Sequence, residues 1–356
     1  MNEKWSLDTH GDPLGKLHEF VQKTWQEFGL FGMLVTLTGE DECRVTPQFI
    51  VDIADIDKTN PFKPLMEINI ARLIPGLLAE HPGSRIGALL RPCEMRALTE
   101  MTKHAPIDLG NLLTISVDCL GTLPADEYQW RLERADRNPV PEEARAGEPT
   151  DELAREALKF ARQGGMVPYR YRSACQVCTS PAAKQAQINI HILGLPVRQQ
   201  MMVTINDASI EKRVTTEKLV DGRASEELFI QHERILSKMS ERHQRTMERL
   251  NEGLGGLLPV DVDAVIRLLE SCGDCRKCMD VCPICSVDKP RLSPEGHYDQ
   301  TEVTRWLVSC AGCGMCEQSC PNHLPISALF AYIRQLLAQQ WEYEPGRSID
   351  EPLPLI

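Results

Sequence analysis

The residues with the clearest chemistry are fourteen cysteines in a chain of 356 residues. Eight of them form two blocks that share one spacing, C-x2-C-x2-C-x3-C-P. The first block contains Cys272, Cys275, Cys278 and Cys282, and the second contains Cys310, Cys313, Cys316 and Cys320. Three thiolates at two-residue gaps can wrap one face of an iron–sulfur cubane. The fourth cysteine, which precedes a proline, ligates the other cluster in two-cluster ferredoxins.

The two blocks therefore predict two [4Fe–4S] clusters. We expect one to be held by Cys272, Cys275, Cys278 and Cys320, and the other by Cys310, Cys313, Cys316 and Cys282. The alternative is a pair of zinc sites, which also use four thiolates but typically arrange them as two separated Cys-x2-Cys pairs. Cys285 is left over, and we expect it to be a packed thiol near a cluster.

Four further cysteines lie where chemistry is plausible in the N-terminal part. Cys93 follows a predicted strand, Cys119 ends another, and Cys175 and Cys178 form a Cys-x2-Cys pair before a third. Because an open α/β sheet gathers its sites at the ends of neighbouring strands, these four are candidate ligands of another metal. A four-cysteine zinc site fits the same residues, a dithiol redox pair fits Cys175 and Cys178, and buried inert thiols are the remaining alternative. Cys43 is assigned no role.

The elements that must position these cysteines alternate between short apolar runs and amphipathic stretches. Buried strands are predicted at Phe31–Thr38, Arg85–Leu90, Leu112–Val117 and Gln187–Leu193, and helices at Leu14–Phe28, Ile70–Ala79, Asp151–Gln163, Ser225–Gly253, Asp299–Ser309 and Ile326–Gln340. Residues 123–150, rich in Pro, Glu, Arg and Asp, are predicted to be an exposed excursion. This alternation predicts an α/β layer structure, followed by short helices around the cysteine blocks.

The length suits two domains better than one. We place an α/β domain at residues 1–224, a helical linker at 225–256 and a helical ferredoxin domain at 257–356. Glycines at 253, 255 and 256 end the long charged helix and suggest the second boundary.

Composition excludes some classes of function. The net charge of −12 argues against a nucleic-acid partner, because phosphate binding needs a basic surface. The longest apolar stretch, Phe28–Leu37, is too short to span a bilayer, and the N-terminus lacks the apolar core of a secretory signal. We therefore expect a cytoplasmic protein. Clustered thiols in that reducing compartment point to metal.

Three motifs of the N-terminal part occur together in a known family. The ordered set Arg91-Pro-Cys-Glu-Met-Arg-Ala-Leu98, Asp118-Cys-Leu-Gly-Thr122 and Cys175-Gln-Val-Cys178 resembles the coenzyme F420 hydrogenase/dehydrogenase beta-subunit family. Of that family, the C-terminal blocks, with Cys282-Pro-Ile-Cys285 and Gly312-Cys-Gly-Met-Cys-Glu317, are most similar to formate dehydrogenase beta subunits. The Gly-rich turn that many relatives have near the N-terminus is not evident around Leu14–Gln22.

The resemblance implies an α/β flavin domain that binds FAD and its own [4Fe–4S] cluster, fused to a helical ferredoxin domain with two [4Fe–4S] clusters. It makes Cys93, Cys119, Cys175 and Cys178 the ligands of the flavin-domain cluster, so that three clusters are expected. It also implies a catalytic partner subunit in anaerobic metabolism, either a formate dehydrogenase or a nickel–iron hydrogenase. The assembly can include a further electron-transfer complex.

These implications predict an oxidoreductase subunit that passes electrons between its catalytic partner and a hydride or electron carrier, through FAD and the clusters. The alternative is a non-flavin, ferredoxin-like adaptor that conducts electrons between two enzymes. Arg170, Arg172 and Lys184 are the candidate contacts for flavin phosphates, since arginine suits bidentate phosphate contacts; a solvated basic patch is the alternative. No histidine has a metal-ligand spacing, and no catalytic residue is assigned.

Overall fold

The chain is described by a computed structural model that covers residues 3–39, 43–137, 152–164, 171–254 and 261–354. The strands of these residues are β1 (Lys4–Asp8), β2 (Gly32–Thr38), β3 (Val45–Ile50), β4 (Ile86–Leu90), β5 (Leu112–Val117), β6 (Ile188–His191), β7 (Gln200–Ile205) and β8 (Gly222–Arg223). They form one eight-stranded sheet in the order β3-β2-β4-β5-β6-β7-β1-β8.

The centre of the sheet is parallel and its flanks are antiparallel. Strands β2, β4, β5 and β6 pair in parallel, with Ala88 opposite Thr114 and Ser116 opposite Asn189. Every residue of β4, β5 and β6 is buried. Continuous apolar runs are typical of parallel strands that are covered on both faces, which is why these strands were predictable.

The helices are α1 (Pro13–Phe28), α2 (Ile74–Glu80), α3 (Pro92–His104), α4 (Ala125–Arg137), α5 (Glu152–Lys159), α6 (Ser173–Gln176), α7 (Ala208–Thr216), α8 (Glu226–Leu254), α9 (Val262–Ser271), α10 (Lys277–Asp280), α11 (Gln300–Val308), α12 (Met315–Gln318) and α13 (Ile326–Trp341). The predicted α/β layer structure is confirmed. No helix of the described ranges is long and apolar enough to cross a membrane.

The expectation of an exposed excursion at residues 123–150 is wrong for its first part. Residues 125–137 form α4, and its Tyr128 and Leu132 are buried in the core. These two side chains lie four residues apart, so they share one helix face, while the charged residues that suggested an excursion occupy the rest of the helix. Residues 138–150 lie outside the described residues.

The C-terminal cysteine blocks pack directly on the sheet layer. One hydrophobic cluster includes Leu90 and Leu98 from β4 and α3 together with Trp306 and Phe330 from α11 and α13. The long helix α8 also contacts α13 and α6. The two parts of the chain therefore share a core, and the division into domains at residues 224 and 256 stays a prediction.

Candidate metal centre

The four N-terminal candidate cysteines line one small cavity of about 40 Å³. Cys93 opens α3 directly after β4, and Cys119 follows β5. Because β4 and β5 are parallel neighbours, their carboxyl ends lie at one edge of the sheet and bring these two thiols together. Cys175 lies in α6, and Cys178 follows that helix in the loop that leads to β6. The structure therefore brings together the four residues that the sequence selected.

Short polar contacts hold two of these sulfurs in place. The Gly121 backbone N–H donates to Cys119 Sγ at 3.4 Å, so the turn after β5 forms a hydrogen bond with its own cysteine. The Thr122 hydroxyl lies 3.2 Å from Cys175 Sγ. Hydrogen bonds of this kind orient metal ligands and tune the bound group.

Arginine side chains lie close to these thiols, and Arg96, Arg172 and Arg242 line the cavity itself. Arg91 Nη1 lies 3.9 Å from Cys119 Sγ, and Arg96 Nη2 lies 3.9 Å from Cys178 Sγ. Against the effect of burial, the charge of Arg172 lowers the pKa of the Cys175 thiol. The other hydrogen bonds of these guanidinium groups go to backbone carbonyls and neutral side chains, not to carboxylates.

This arrangement of charge fits metal-bound thiolates. A guanidinium does not lose its proton, and a buried positive charge is costly unless an anion lies near it. The buried carboxyl group of Glu94 supplies one such anion to Arg91 and Arg172. Neutral, inert thiols would supply no further anion, whereas four thiolates around a core of charge +2 carry a net charge of −2. Arg96, which donates to two backbone carbonyls and to Cys178 Sγ, is the arginine that disfavours the inert-thiol alternative. A four-cysteine zinc site has the same net charge as an oxidised cubane with four thiolates, so charge fits both metals.

The thiol pKa values follow from burial and from these neighbours. Burial raises the pKa of Cys175, but the charge of Arg172 and the hydrogen bond of Thr122 outweigh it, and the pKa is lowered overall. Burial, and then the charge of Glu94, raise the pKa of Cys93 well above its ordinary value. The lowered pKa favours the thiolate of Cys175, which is the form that binds metal.

The C-terminal blocks interleave. Cys272 interacts electrostatically with Cys275 and with Cys320, which belongs to the other block. Likewise, Cys310, Cys313 and Cys316 each interact with Cys282 of the first block. Cys282 also interacts with Cys278 of its own block. These contacts include the grouping in which the fourth cysteine of each block serves the cluster of the other, and the ligand assignment stays a prediction.

Two buried groups act on Cys282. The Cys285 thiol is the first cause of the lowered pKa of Cys282, which falls to about 6, and the indole N–H of Trp306 donates to Cys282 Sγ at 3.5 Å. Cys285 is buried at 3% exposure. Its position next to a candidate ligand matches its expected place near a cluster.

The N-terminal cysteine cavity touches the second block. Cys313 lines the same cavity as the four N-terminal cysteines. In the next position, Gly314 lies so close to α6 that a Cβ there would be 2.4 Å from Ala174 Cβ. Glu317 accepts hydrogen bonds from the Ser173 hydroxyl of α6 and from the Ser327 backbone N–H. The two cysteine-bearing segments are therefore in direct contact.

A buried group of one carboxylate and two histidines includes Asp118, the residue before Cys119. The sequence analysis did not predict this group. Asp118 Oδ1 lies 3.2 Å from His191 Nδ1, and Asp118 Oδ2 lies 3.7 Å from His232 Nδ1. The three side chains are close enough to hold a metal ion. However, the carboxylate already accepts backbone N–H groups from Ala183, Ile192 and Leu193, and His232 Nδ1 donates to a carbonyl.

Asp118 is therefore best explained as the anchor of the turn that carries Cys119. Burial raises its pKa, but the charges of His191 and His232 outweigh this effect and lower it to about 2. The histidines lie 73 and 114 positions along the chain from Asp118, so no local spacing could have revealed the group.

The predicted flavin-phosphate contacts do not converge in the described residues. Arg172 is buried, and its guanidinium donates to Thr122 Oγ1, Gln318 Oε1 and the Cys313 carbonyl. Lys184 is exposed and lines neither of the two cavities that Arg172 lines. Arg170 lies outside the described residues.

A cleft of about 1010 Å³ opens beside the cysteine cavity. Tyr171, Arg172 and Ala174 line both spaces. The cleft is also lined by three acidic residues, Asp126, Glu127 and Glu317. Because the guanidinium of Arg172 is already bound to protein acceptors, this lining does not fit an anionic pyrophosphate. Neither of the two cavities that Arg172 lines thus offers a phosphate site for FAD.

Comparison with known proteins gives two curated relatives and a solved structure; no family model matches the chain. The beta subunit of F420-dependent formate dehydrogenase 1 from Methanococcus maripaludis is 24% identical over 352 residues, covering 91% of this chain and 87% of the relative. The F420-dependent formate dehydrogenase beta subunit from Methanocaldococcus jannaschii is 24% identical over 356 residues, covering 91% and 88%.

The solved structure shows a shared fold. A chain in the F420-reducing [NiFe] hydrogenase complex from Methanosarcina barkeri, studied by xenon derivatization, superposes with a TM-score of 0.51 at 14% identity, covering 70% of this chain and 91% of that chain. The resemblance predicted from the cysteine motifs is confirmed: the chain is a relative of the beta subunits of F420-dependent formate dehydrogenases, which are oxidoreductase subunits.

Proposed function

We propose that the chain is an iron–sulfur electron-transfer subunit of a formate dehydrogenase or nickel–iron hydrogenase complex. In this role it passes electrons between the catalytic partner subunit and a hydride or electron carrier. The observation that carries the proposal is the contact between the cysteine groups: Cys313 of the second block lines the cavity of Cys93, Cys119, Cys175 and Cys178. A series of sites in contact is what one-electron transfer through a protein needs.

The order of the three sites follows from these contacts. The N-terminal cysteine site adjoins the site of Cys310, Cys313, Cys316 and Cys282, and the interleaved fourth cysteines join that site to the one around Cys272. Around Cys272 the chain is exposed at Ser271, Gly273 and Asp274. We infer that electrons enter or leave at this surface, where a partner can come close. When bound, [4Fe–4S] clusters at these sites supply one-electron transfer.

The catalytic subunit is expected to be a separate chain. The sequence contains no molybdenum, nickel or nucleophile constellation that could activate formate or hydrogen. The assembly of the relatives into formate dehydrogenases and the shared fold with a hydrogenase-complex chain support a partner of that kind.

FAD belongs to the proposal through the family resemblance. When bound, FAD would supply the exchange of a hydride for single electrons. The acidic lining of the cleft and the hydrogen bonds that already occupy the Arg172 guanidinium favour the second candidate, a ferredoxin-like adaptor that conducts electrons between two enzymes without a flavin. The two candidates predict the same clusters and differ in one cofactor.

The test is anaerobic purification of the full chain with its bound partners, followed by iron, sulfide, zinc and flavin analysis. Three cubanes give about twelve irons per chain. Flavin released on denaturation supports the flavoprotein, and its absence with about twelve irons supports the adaptor. Zinc in place of iron in the C-terminal blocks, or formate or hydrogen oxidation by the chain alone, would contradict the proposed function.

A further inference from the structure

Arg96 binds both neighbouring cysteine sites with one side chain. Its Nη2 lies 3.9 Å from Cys178 Sγ in the N-terminal site. Its Nε donates to the Ala311 carbonyl of the second block at 3.2 Å, and its Nη1 donates to the Ser180 carbonyl at 2.7 Å. The side chain is 7% exposed, so its charge acts in a low-dielectric interior.

Arg172 repeats this arrangement on another side of the same cavity. It reaches Cys175 through Thr122: its Nε donates at 2.7 Å to Thr122 Oγ1, which itself lies 3.2 Å from Cys175 Sγ. The rest of the guanidinium reaches the second block, with Nη1 at 2.7 Å from Gln318 Oε1 and Nη2 at 3.3 Å from the Cys313 carbonyl. Arg172 thus joins the two sites as Arg96 does.

The chemistry of arginine suits this double role. The guanidinium presents five N–H donors in a rigid plane, so one group can bind acceptors on two sides and fix the distance between them. Its permanent charge also favours whichever state of a neighbouring cluster is more negative. Because reduction adds one negative charge, a buried guanidinium at the sulfur ligands stabilises the reduced state and raises the reduction potential.

We propose that Arg96 and Arg172 are positioning residues that hold the N-terminal cluster against the second block and raise its reduction potential. The inference rests on the proposed function, because it assumes a cluster bound by Cys93, Cys119, Cys175 and Cys178. No bond forms or breaks in the chain: one electron, supplied by the carrier or partner of that function, passes between the two sites. Arg172 accordingly serves the cluster rather than a flavin phosphate.

The experiment compares the anaerobically purified full chain with Arg96→Gln, Arg172→Gln, Arg172→Lys and Arg334→Gln variants. Arg334 is the matched control, because its Nη1 donates at 2.8 Å to the Cys310 carbonyl of the second block and it makes no hydrogen bond to the N-terminal thiols. The midpoint potential of each cluster is measured by redox titration with electron paramagnetic resonance, and iron is counted in the same samples. The signal lost in Cys175→Ser identifies the N-terminal cluster.

We expect both glutamine variants at positions 96 and 172 to lower the midpoint of the N-terminal cluster at full iron content. Arg172→Lys keeps the positive charge, so the midpoint potential of its N-terminal cluster should lie close to that of the wild type. Arg334→Gln should leave the midpoint potential of the N-terminal cluster unchanged. An unchanged midpoint in Arg96→Gln and Arg172→Gln overturns the inference and leaves the proposed function intact. If the two glutamine variants lose iron, the midpoint potential of the N-terminal cluster in Arg172→Lys is the test. A wild-type potential supports the role of the charge, and a lowered potential contradicts it. Zinc in the wild-type N-terminal site contradicts both this inference and the three-cluster version of the function.

Discussion

Gly314 of the second cysteine block lies against Ala174 of α6, with room for no side chain between them. A Cβ at Gly314 would lie 2.4 Å from Ala174 Cβ, and the glycine has a φ of 73°. Two cysteine-bearing segments, far apart in sequence, therefore meet with the Ala174 methyl group directly against Gly314. This contact shortens the distance between the two metal sites.

Gly314→Ala is expected to push these segments apart. The variant adds overpacking of about 1–3 kcal/mol to the strain of a left-handed alanine. Gly273→Ala is the matched control, since Gly273 has a φ of 57° but nothing within 4 Å of its Cβ position. Urea unfolding of both variants measures the difference between their free energies of unfolding. Equal destabilisation by the two substitutions would show that the contact with Ala174 is not tight.

Cys320→Ser is expected to remove the cluster of Cys272, Cys275 and Cys278, although Cys320 belongs to the other block. The reason is its position beside Cys272. The iron content should fall by about four irons per chain, and the electron paramagnetic resonance signal of the cluster at Cys310 should remain. Cys43→Ser serves as control and should keep all the iron. Loss of the Cys310 cluster instead would mean that each block binds its own cluster.

Trp306→Phe is expected to lower the reduction potential of the Cys310 cluster without loss of iron. The substitution removes the N–H that lies 3.5 Å from Cys282 Sγ and keeps an aromatic ring against Phe330. Hydrogen bonds to ligand sulfur stabilise the reduced state. A redox titration measures the shift, and a potential equal to that of the wild type would show that this hydrogen bond does not tune the cluster.

Asp118→Asn is expected to destabilise the chain by about 3–5 kcal/mol, because it removes a buried charge that two histidines and three backbone N–H groups share. Iron in the N-terminal site should fall as the turn of Cys119 loosens. Since the pKa of Asp118 is lowered to about 2, the stabilisation is complete above its unfolded value and is lost only as the pH falls toward 2. Asp108→Asn, at an exposed position, should change stability by less than about 0.5 kcal/mol. Equal iron contents in the two variants would contradict the anchoring role.

The sequence predicted what depends on local patterns. Strands β2, β4 and β5 are mainly apolar and mainly buried, and β6 alternates two isoleucines with the buried Asn189 and His191. The cysteine spacing predicts ligand sets because a cubane is wrapped by residues close in the chain. Strand β3 was missed because Pro47 and its exposed polar residues suit only an edge strand, which it is.

Long-range partners could not be predicted in this way. Arg96 meets the Ala311 carbonyl 215 positions away, and Asp118 meets His191 across 73 positions. Such contacts follow from how the helices pack on the sheet and leave no periodic trace in the sequence. Helix α4 was missed for a related reason, since only packing reveals that Tyr128 is buried among charged neighbours.

Cys93, Cys119, Cys175 and Cys178 are proposed to hold a third iron–sulfur cluster. This is tested by the iron, sulfide and zinc content of the anaerobically purified full chain, compared with its Cys175→Ser variant. We expect about twelve irons in the wild type, about eight in the variant, and no zinc in either. One zinc per chain in the wild type, or the same iron content in both proteins, would contradict this proposal.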